Sequence, residues 1–285
     1  MPSPLLVADA PAILYRAFYG LPDSITGADD RPVNALLGSA NALLFCVEKY
    51  RPRAVALCFG AEAAAYRVEA YAPYHADRPE MPDDLAHQWE LAPAFYEALG
   101  WTVLDTEDLE ADDLLGNLAL VEEAAGGTCL ILTGDRDLFQ CASDKTTVLL
   151  QQRGGDGPAE VDPAGVRERY GIDPGQVPDF IALRGDPSDS LPGAKGIGAK
   201  TAAELLGRHG SLEAAIDAAV REKPGVRKAL IGQADELRMF KDVATLRPIA
   251  LQRPPDAATD GKGGAAAAEK LGMRRLAERL RTATF

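Results

Sequence analysis

The chain has 285 residues, which suits one large domain or two small ones. With 47% hydrophobic and 26% charged residues it can bury a sizeable core. Its 43 acidic against 30 basic side chains give a formal net charge of -13, which argues against a simple basic nucleic-acid glove and against a membrane-surface protein. No apolar run approaches the ~20 residues that a membrane-spanning helix needs. The start, MPSPLLVADAPAIL, lacks the basic residues of a signal peptide and meets Asp9 early. Cys46, Cys58, Cys129 and Cys141 show no CxxC spacing and read as reduced thiols of a cytoplasmic protein.

LLVAD (5–9) is a short β-like run that ends in a carboxylate, and residues 33–50 carry apolar groups at helical spacing. AVALCF (54–59) reads as a buried strand, 84–99 as a helix, WTVL (101–104) as a strand and 111–125 as a helix. TCLILT (128–133) and TTVLL (146–150) add two more strands. Such alternation predicts a parallel or mostly parallel sheet with helices on both faces. Beyond the turn cluster GGDGP (154–158), short helices are expected over 163–170, 176–184, 198–207, 211–220 and 226–242, with one strand at PIAL (248–251). Residues 252–268, rich in Pro, Gly and Ala, read as a mobile loop, and EKLGMRRLAERLR (269–281) as a closing basic amphipathic helix.

Eight carboxylates fall in four short clusters: Asp9 at a strand end, Glu110, Asp112 and Asp113 at a helix start, Asp135 and Asp137 in TGDRD, and Asp186 and Asp189 in RGDPSDS. Taken singly, each cluster reads as a helix cap, a solvated loop or turn chemistry. Open α/β sheets bind ligands beyond the carboxyl ends of their strands, and acids converging there repel one another unless cations neutralise them. Hard divalent ions with oxygen ligands suit such a site, and two of them can clamp a phosphodiester. In SLPGAKGIGAKTAAELL (190–206), Gly193, Gly196 and Gly198 punctuate a hairpin between two helices, Lys195 and Lys200 flank it, and Thr201 opens the next helix. Such a hairpin is either a tight helix–helix turn or a backbone N–H cradle that grips phosphates without reading sequence.

Both features together resemble the 5′-nuclease (flap endonuclease) family, which includes the N-terminal domain of bacterial DNA polymerase I. The resemblance rests on LLVADAPAILYRAF, AYRVEAYAPYHADR, LEADDLLGNLA, ILTGDRDLFQ and LRGDPSDSLPGAKGIGAKTA, and spans roughly residues 4–245. It implies an α/β fold: a PIN-like, mostly parallel sheet flanked by helices, with a helical arch and a helix-three-turn-helix DNA-binding subdomain. The expected layout is a nuclease core over 1–155 with the arch at about 62–90, a helical DNA-binding subdomain over 156–251 with a helix-hairpin-helix at 190–206, and a loop and basic helix over 252–285.

The resemblance also implies two divalent cations, Mg2+ or Mn2+. Asp9, Glu110, Asp112 and Asp113 would serve one, and Asp135, Asp137, Asp186 and Asp189 the other. Arg16, Arg67, His75 and Arg78 would face the scissile phosphate or the 5′ strand. Gly193, Lys195, Gly196, Gly198, Lys200 and Thr201 would hold duplex DNA, with a K+ ion at the hairpin. The activity so implied is 5′-3′ exonuclease and flap cleavage in replication and repair, by a cytoplasmic, nucleoid-associated monomer acting on flaps, nicks or recessed 5′ ends. Two positions depart from the family. Gly60 stands where an aspartate is usual, which leaves the first cation site one carboxylate short, and His75 stands where lysine is usual. The alternative reading is an attenuated paralogue that mainly binds branched DNA.

Overall fold

The computed structural model describes residues 3–152 and 157–285, so most of the turn expected at 154–158 lies outside the described residues. Six strands form one sheet: β1 (Leu5–Asp9), β2 (Ala54–Cys58), β3 (Thr102–Leu104), β4 (Cys129–Thr133), β5 (Thr146–Leu150) and β6 (Ala159–Val161). Their order is β3-β2-β1-β4-β5-β6, parallel throughout except for the antiparallel β6. The chain winds outward from β1 in both directions, so the strand order reverses beside it. The crevice beyond the carboxyl ends of β1 and β4 is the usual ligand position in such a sheet. The expected fold class is observed.

The strands are fully or largely apolar because both faces are covered. On one face lie α1 (Ala10–Gly20), α2 (Asn34–Tyr50) and α4 (Asp83–Ala98), on the other α5 (Ala111–Ala124). A short α3 (Ala65–Ala70) precedes α4. The rest of the chain forms α6 (Pro163–Tyr170), α7 (Val177–Arg184), α8 (Ala199–His209), α9 (Leu212–Asp217), α10 (Pro224–Gly232) and α11 (Ala234–Ala244), which share a core around Phe180, Leu205, Leu206, Leu230, Leu237 and Phe240.

Five expectations need correction. The helix expected over 226–242 is two helices that meet at Gln233. PIAL is not a strand: it runs extended along α5, where the Ile249 N–H donates to Asn117 Oδ1 at 3.0 Å. Of the expected arch, residues 83–90 belong to α4, with Leu85 and Gln88 fully buried, while residues 62–82 lie across the strand ends. Residues 252–268 are not a mobile loop. The Asp260 N–H donates to the Leu99 carbonyl at 2.7 Å, and α12 (Gly261–Lys270) follows, capped by the Asp260 carboxylate. The glycines there serve close approach: a Cβ at Gly263 would lie 2.4 Å from the Ala98 carbonyl oxygen, and one at Gly264 2.2 Å from Leu99. The closing helix α13 (Arg274–Thr282) begins later than expected and packs on the body through Leu276, Ala277 and Leu280. Among the described residues no helix is long and apolar enough to cross a membrane.

Candidate active site

β1 delivers Asp9 to the sheet's carboxyl edge, where it caps α1: Oδ1 accepts the Ala12 N–H at 2.9 Å. Its Oδ2 accepts the Thr133 hydroxyl at 2.7 Å, which ties β1 to the neighbouring β4. Beyond Thr133 the chain turns tightly. The Asp135 N–H donates to Thr133 Oγ1 at 2.9 Å, and the Asp137 N–H donates to Asp135 Oδ1 at 2.8 Å, so both carboxylates stay at the strand end. Glu110 and Asp112 arrive at the start of α5. Asp186 and Asp189 arrive on the loop after α7, where Asp186 and Leu191 exchange two backbone hydrogen bonds at 2.8 Å each.

These groups converge. Asp9, Glu110, Asp112, Asp135, Asp137, Asp186 and Asp189 all line one cleft of about 970 Å³. Burial, and then the charges of Asp135 and Asp9, push Asp112 well above the usual carboxylate range. Asp137 is likewise raised well above it, by burial and by Asp135, Asp189 and Asp186. Asp135 is pushed up to about 6, first by burial and then by Asp189 and Asp9, against the lowering effect of the Asp137 N–H. Asp9 is raised by burial in spite of its two hydrogen bonds. Among the described residues, no group of three or more His, Cys, Asp or Glu side chains is arranged to hold a metal ion. The donor set itself is all carboxylate oxygen, and its mutual repulsion is the electrostatic signature of a cation-seeking cleft.

Two expected site residues, Asp113 and Arg16, are placed elsewhere, and a third, Arg67, lines the cleft with its charge already engaged. Asp113 is fully buried and turned away from the cleft, because its oxygens accept from Tyr66, Arg67 and the backbone N–H groups of Glu110 and Arg247. Arg67 lines the cleft, but it is only 3% exposed and its guanidinium is ion-paired to Glu110 and Asp113. Burial alone would favour loss of its proton, but Glu110, Tyr74 and Asp113 outweigh that and hold the guanidinium charged. Arg16 lines a separate cavity of about 210 Å³ with Phe45, Leu132 and Gln151.

His75 and Arg78 do line the cleft. His75 has a left-handed backbone (φ 54), stacks on Tyr74 with centroids 3.9 Å apart, and sets Nδ1 2.8 Å from the Glu62 carbonyl and Nε2 2.9 Å from Asp189 Oδ1. Arg78 is close enough to Asp9 to lower its pKa.

In the hairpin, Gly193 (φ 69) and Gly196 (φ 79) adopt left-handed backbone. Gly193 packs so closely that a Cβ would meet Gly185 N at 2.3 Å, whereas Gly196 and Gly198 have no atom within 4 Å of that position. Ala194 and Ile197 are buried anchors, and the Ala194 N–H donates to the Leu183 carbonyl of α7 at 2.9 Å. Lys195 and Lys200 are exposed and, among the described residues, form no ion pair. Gly198 caps α8 with no side chain, and Thr201 lies in its first turn.

Several cleft residues escaped the sequence reading. Tyr15, Tyr19 and Trp89 form an aromatic wall, with Tyr15 and Trp89 edge to face at 6.2 Å. Tyr15 and Tyr19 are four residues apart on α1, a helical spacing that could have signalled a shared face. Arg136 and Arg184 also line the cleft, the latter 3.0 Å from Asp186.

Two family models match the chain in succession: "5'-3' exonuclease, N-terminal resolvase-like domain" over residues 4–171 and "5'-3' exonuclease, C-terminal SAM fold" over 172–257. DNA polymerase I of Mycobacterium bovis is 37% identical over 88% of this chain, and the thermostable DNA polymerase I of Thermus aquaticus is 39% identical over 85% of it. In both cases the match spans 28% of the relative's own length. Among solved structures, a zinc-bound T5 5′-exonuclease superposes with a TM-score of 0.70 at 16% identity, covering 97% of this chain and 96% of that one. The catalytic core of Rad2 in complex with DNA substrate gives 0.66 at 14% identity, covering 98% and 92%. At these identities the superpositions establish a shared fold.

Proposed function

The chain belongs to the 5′-3′ exonuclease family, and from that premise we propose that it is a structure-specific 5′ nuclease that hydrolyses DNA phosphodiesters. The observation that carries the proposal is the set of seven carboxylates in one cleft at the sheet's carboxyl edge, with the glycine hairpin fixed to the same α7 loop. The substrates are DNA with a 5′ flap, a nick or a recessed 5′ end, and the cellular work is replication and repair. The protein acts as a monomer at the nucleoid.

The donor chemistry fits hard divalent cations, Mg2+ or Mn2+, with Asp9, Asp112, Asp135, Asp137, Asp186 and Asp189 as their holders. When bound, such ions supply a water of lowered pKa and neutralise the charge of the leaving oxygen. Asp112 and Asp137 carry no side-chain hydrogen bond among the described residues and open directly onto the cleft. Asp9 and Asp135 are held still by Thr133, Ala12 and Asp137, so the cleft is organised before substrate arrives. Arg78 and Arg136 place positive charge at the rim, where a phosphate would enter. Lys195, Lys200 and the uncovered backbone of Gly196 and Gly198 grip duplex phosphates, with a potassium ion as part of that grip.

The decisive experiment incubates the protein with a 5′-labelled flap duplex in Mg2+ and, separately, in Mn2+. Cleavage near the junction is expected. Asp135→Asn should lose cleavage and keep flap binding; retained cleavage would refute the carboxylate assignment. A second reading, a binding paralogue without turnover, is favoured by Gly60 and predicts tight flap binding with no product in either metal.

A further inference from the structure

Glu110 lies in the cleft wall, yet both of its oxygens are engaged. Oε1 accepts the Ala64 N–H at 2.8 Å, and Oε2 accepts the Tyr74 hydroxyl at 2.9 Å and the Arg67 guanidinium. Behind it, Asp113 is 0% exposed and takes the second arm of the same guanidinium at 3.3 Å. The Arg67 Nε is buried without a partner, so its two carboxylate contacts, rather than a fully satisfied pocket, aim the side chain.

Gly60, two residues beyond β2, closes this corner. A Cβ there would lie 2.6 Å from Ala111 N and 2.7 Å from both the Glu110 carbonyl carbon and the Leu109 carbonyl oxygen. All three are backbone atoms, so β2 offers no side-chain oxygen at this corner. Other carboxylates of the cleft differ: Asp112 and Asp137 keep their oxygens free of hydrogen bonds among the described residues.

We infer that Arg67 is the resident cation of the Glu110 corner, so that Glu110 and Asp113 position residues 62–82 across the cleft and do not ligate a divalent ion. The inference rests on the divalent-cation reading given above and narrows it. Cation binding in the absence of nucleic acid belongs to the other carboxylates. Arg67 is thereby a positioning residue: its ion pairs tie α3 to the start of α5 and hold Tyr74 and His75 over the strand ends. A guanidinium suits this role because its fork serves two carboxylates at once.

The test is Mn2+ titration of the nucleic-acid-free protein, followed by calorimetry and by the electron-spin signal of free Mn2+. Glu110→Gln, nearly isosteric, should keep the number of Mn2+ sites of wild type and weaken binding clearly less than Asp137→Asn, which removes a ligand outright. Arg67→Gln exposes Glu110 and Asp113 and should tighten Mn2+ binding or add a site. Should that variant not fold, the comparison of Glu110→Gln with Asp137→Asn decides alone, with cooperative melting in chelator as the control for fold. Equal weakening in Glu110→Gln and Asp137→Asn overturns the inference. A wild type that binds no Mn2+ overturns it together with the cation reading. Normal Mn2+ binding with the expected variant pattern but no flap cleavage supports the inference and counts against the nuclease proposal alone.

Discussion

Restoring the carboxylate that the resemblance leads one to expect, by Gly60→Asp, should damage this protein rather than improve it. The new Cβ meets three backbone atoms at 2.6 to 2.7 Å. Neither segment can retreat freely. The Phe59 N–H donates to the Leu104 carbonyl at 2.8 Å and the Ala61 N–H to the Leu109 carbonyl at 2.9 Å, one on each side of Gly60. Overpacking of this kind costs about 1–3 kcal/mol. A broken backbone hydrogen bond adds about 1 kcal/mol. A further charge beside Glu110 adds to both. Together the loss is about 2–5 kcal/mol, or a melting temperature about 4–10 °C lower at roughly 2 °C per kcal/mol for a chain of this size. Scanning calorimetry in chelator measures it, and Gly60→Ala, with the same Cβ and no charge, isolates the steric part. A Gly60→Asp protein that melts within about 1 °C of wild type would refute the reasoning, since that is well below the smallest steric cost.

Charge and pH offer three more tests. Lys200→Ala should weaken duplex binding alike for all sequences and reduce the slope of log affinity against log salt by about one; an unchanged slope in a filter-binding series would remove the hairpin as a phosphate grip. The cleft carboxylates are raised above the ordinary carboxylate range, Asp135 to about 6. A raised acid costs stability once pH exceeds its unfolded value of about 4, with the full cost reached above its folded pKa. The metal-free protein should therefore melt at higher temperature at pH 5 than at pH 7.5, and Asp137→Asn should raise the pH 7.5 value; melting curves in chelator that are flat between these pH values would contradict the electrostatics. Glu122 has the opposite sign. Burial would raise it, but Arg53 and Arg253 outweigh that and hold it below its usual value, so its contribution is full above about pH 4.5 and is lost as pH falls through the folded pKa. Glu122→Gln leaves Arg53 with Asp256 as its remaining ion-pair partner and should cost about 1–3 kcal/mol at pH 7 by denaturant unfolding, with a shallower acid decline than wild type.

Much of the fold was legible because its signals are local. The apolar runs at 5–9, 54–59 and 128–133 are buried on both faces, so composition alone marks them as parallel strands. β6 was not legible: AEV is short, sits at the sheet's edge and shows no apolar run. GKGGAAAAEK misled for a physical reason. Glycine lowers helix propensity, yet here it lets α12 approach the end of α4 to distances that any side chain would block. That partner lies more than 150 residues away in sequence, as in the bond from Trp101 Nε1 to Thr259 Oγ1 at 2.9 Å, so no local pattern could reveal it.

The site divides along the same line. Carboxylates at strand ends and on the α7 loop were legible because the topology of an open sheet brings such ends together whatever the side chains do. What each oxygen does was not. Asp112 and Asp113 are neighbours in sequence and identical in chemistry, yet a helix turns them about 100° apart. Asp112 therefore opens onto the cleft, while Asp113 turns inward to meet Tyr66, Arg67 and the Arg247 N–H. Arg67 follows from that turn. A buried carboxylate pair demands a cation, and the nearest element able to supply one is α3. Arg67, one of the residues that the resemblance assigns to the scissile phosphate or the 5′ strand, thus lines the cleft with its guanidinium engaged by Glu110 and Asp113. Arg78 and Arg136 line the same cleft and, among the described residues, form no ion pair.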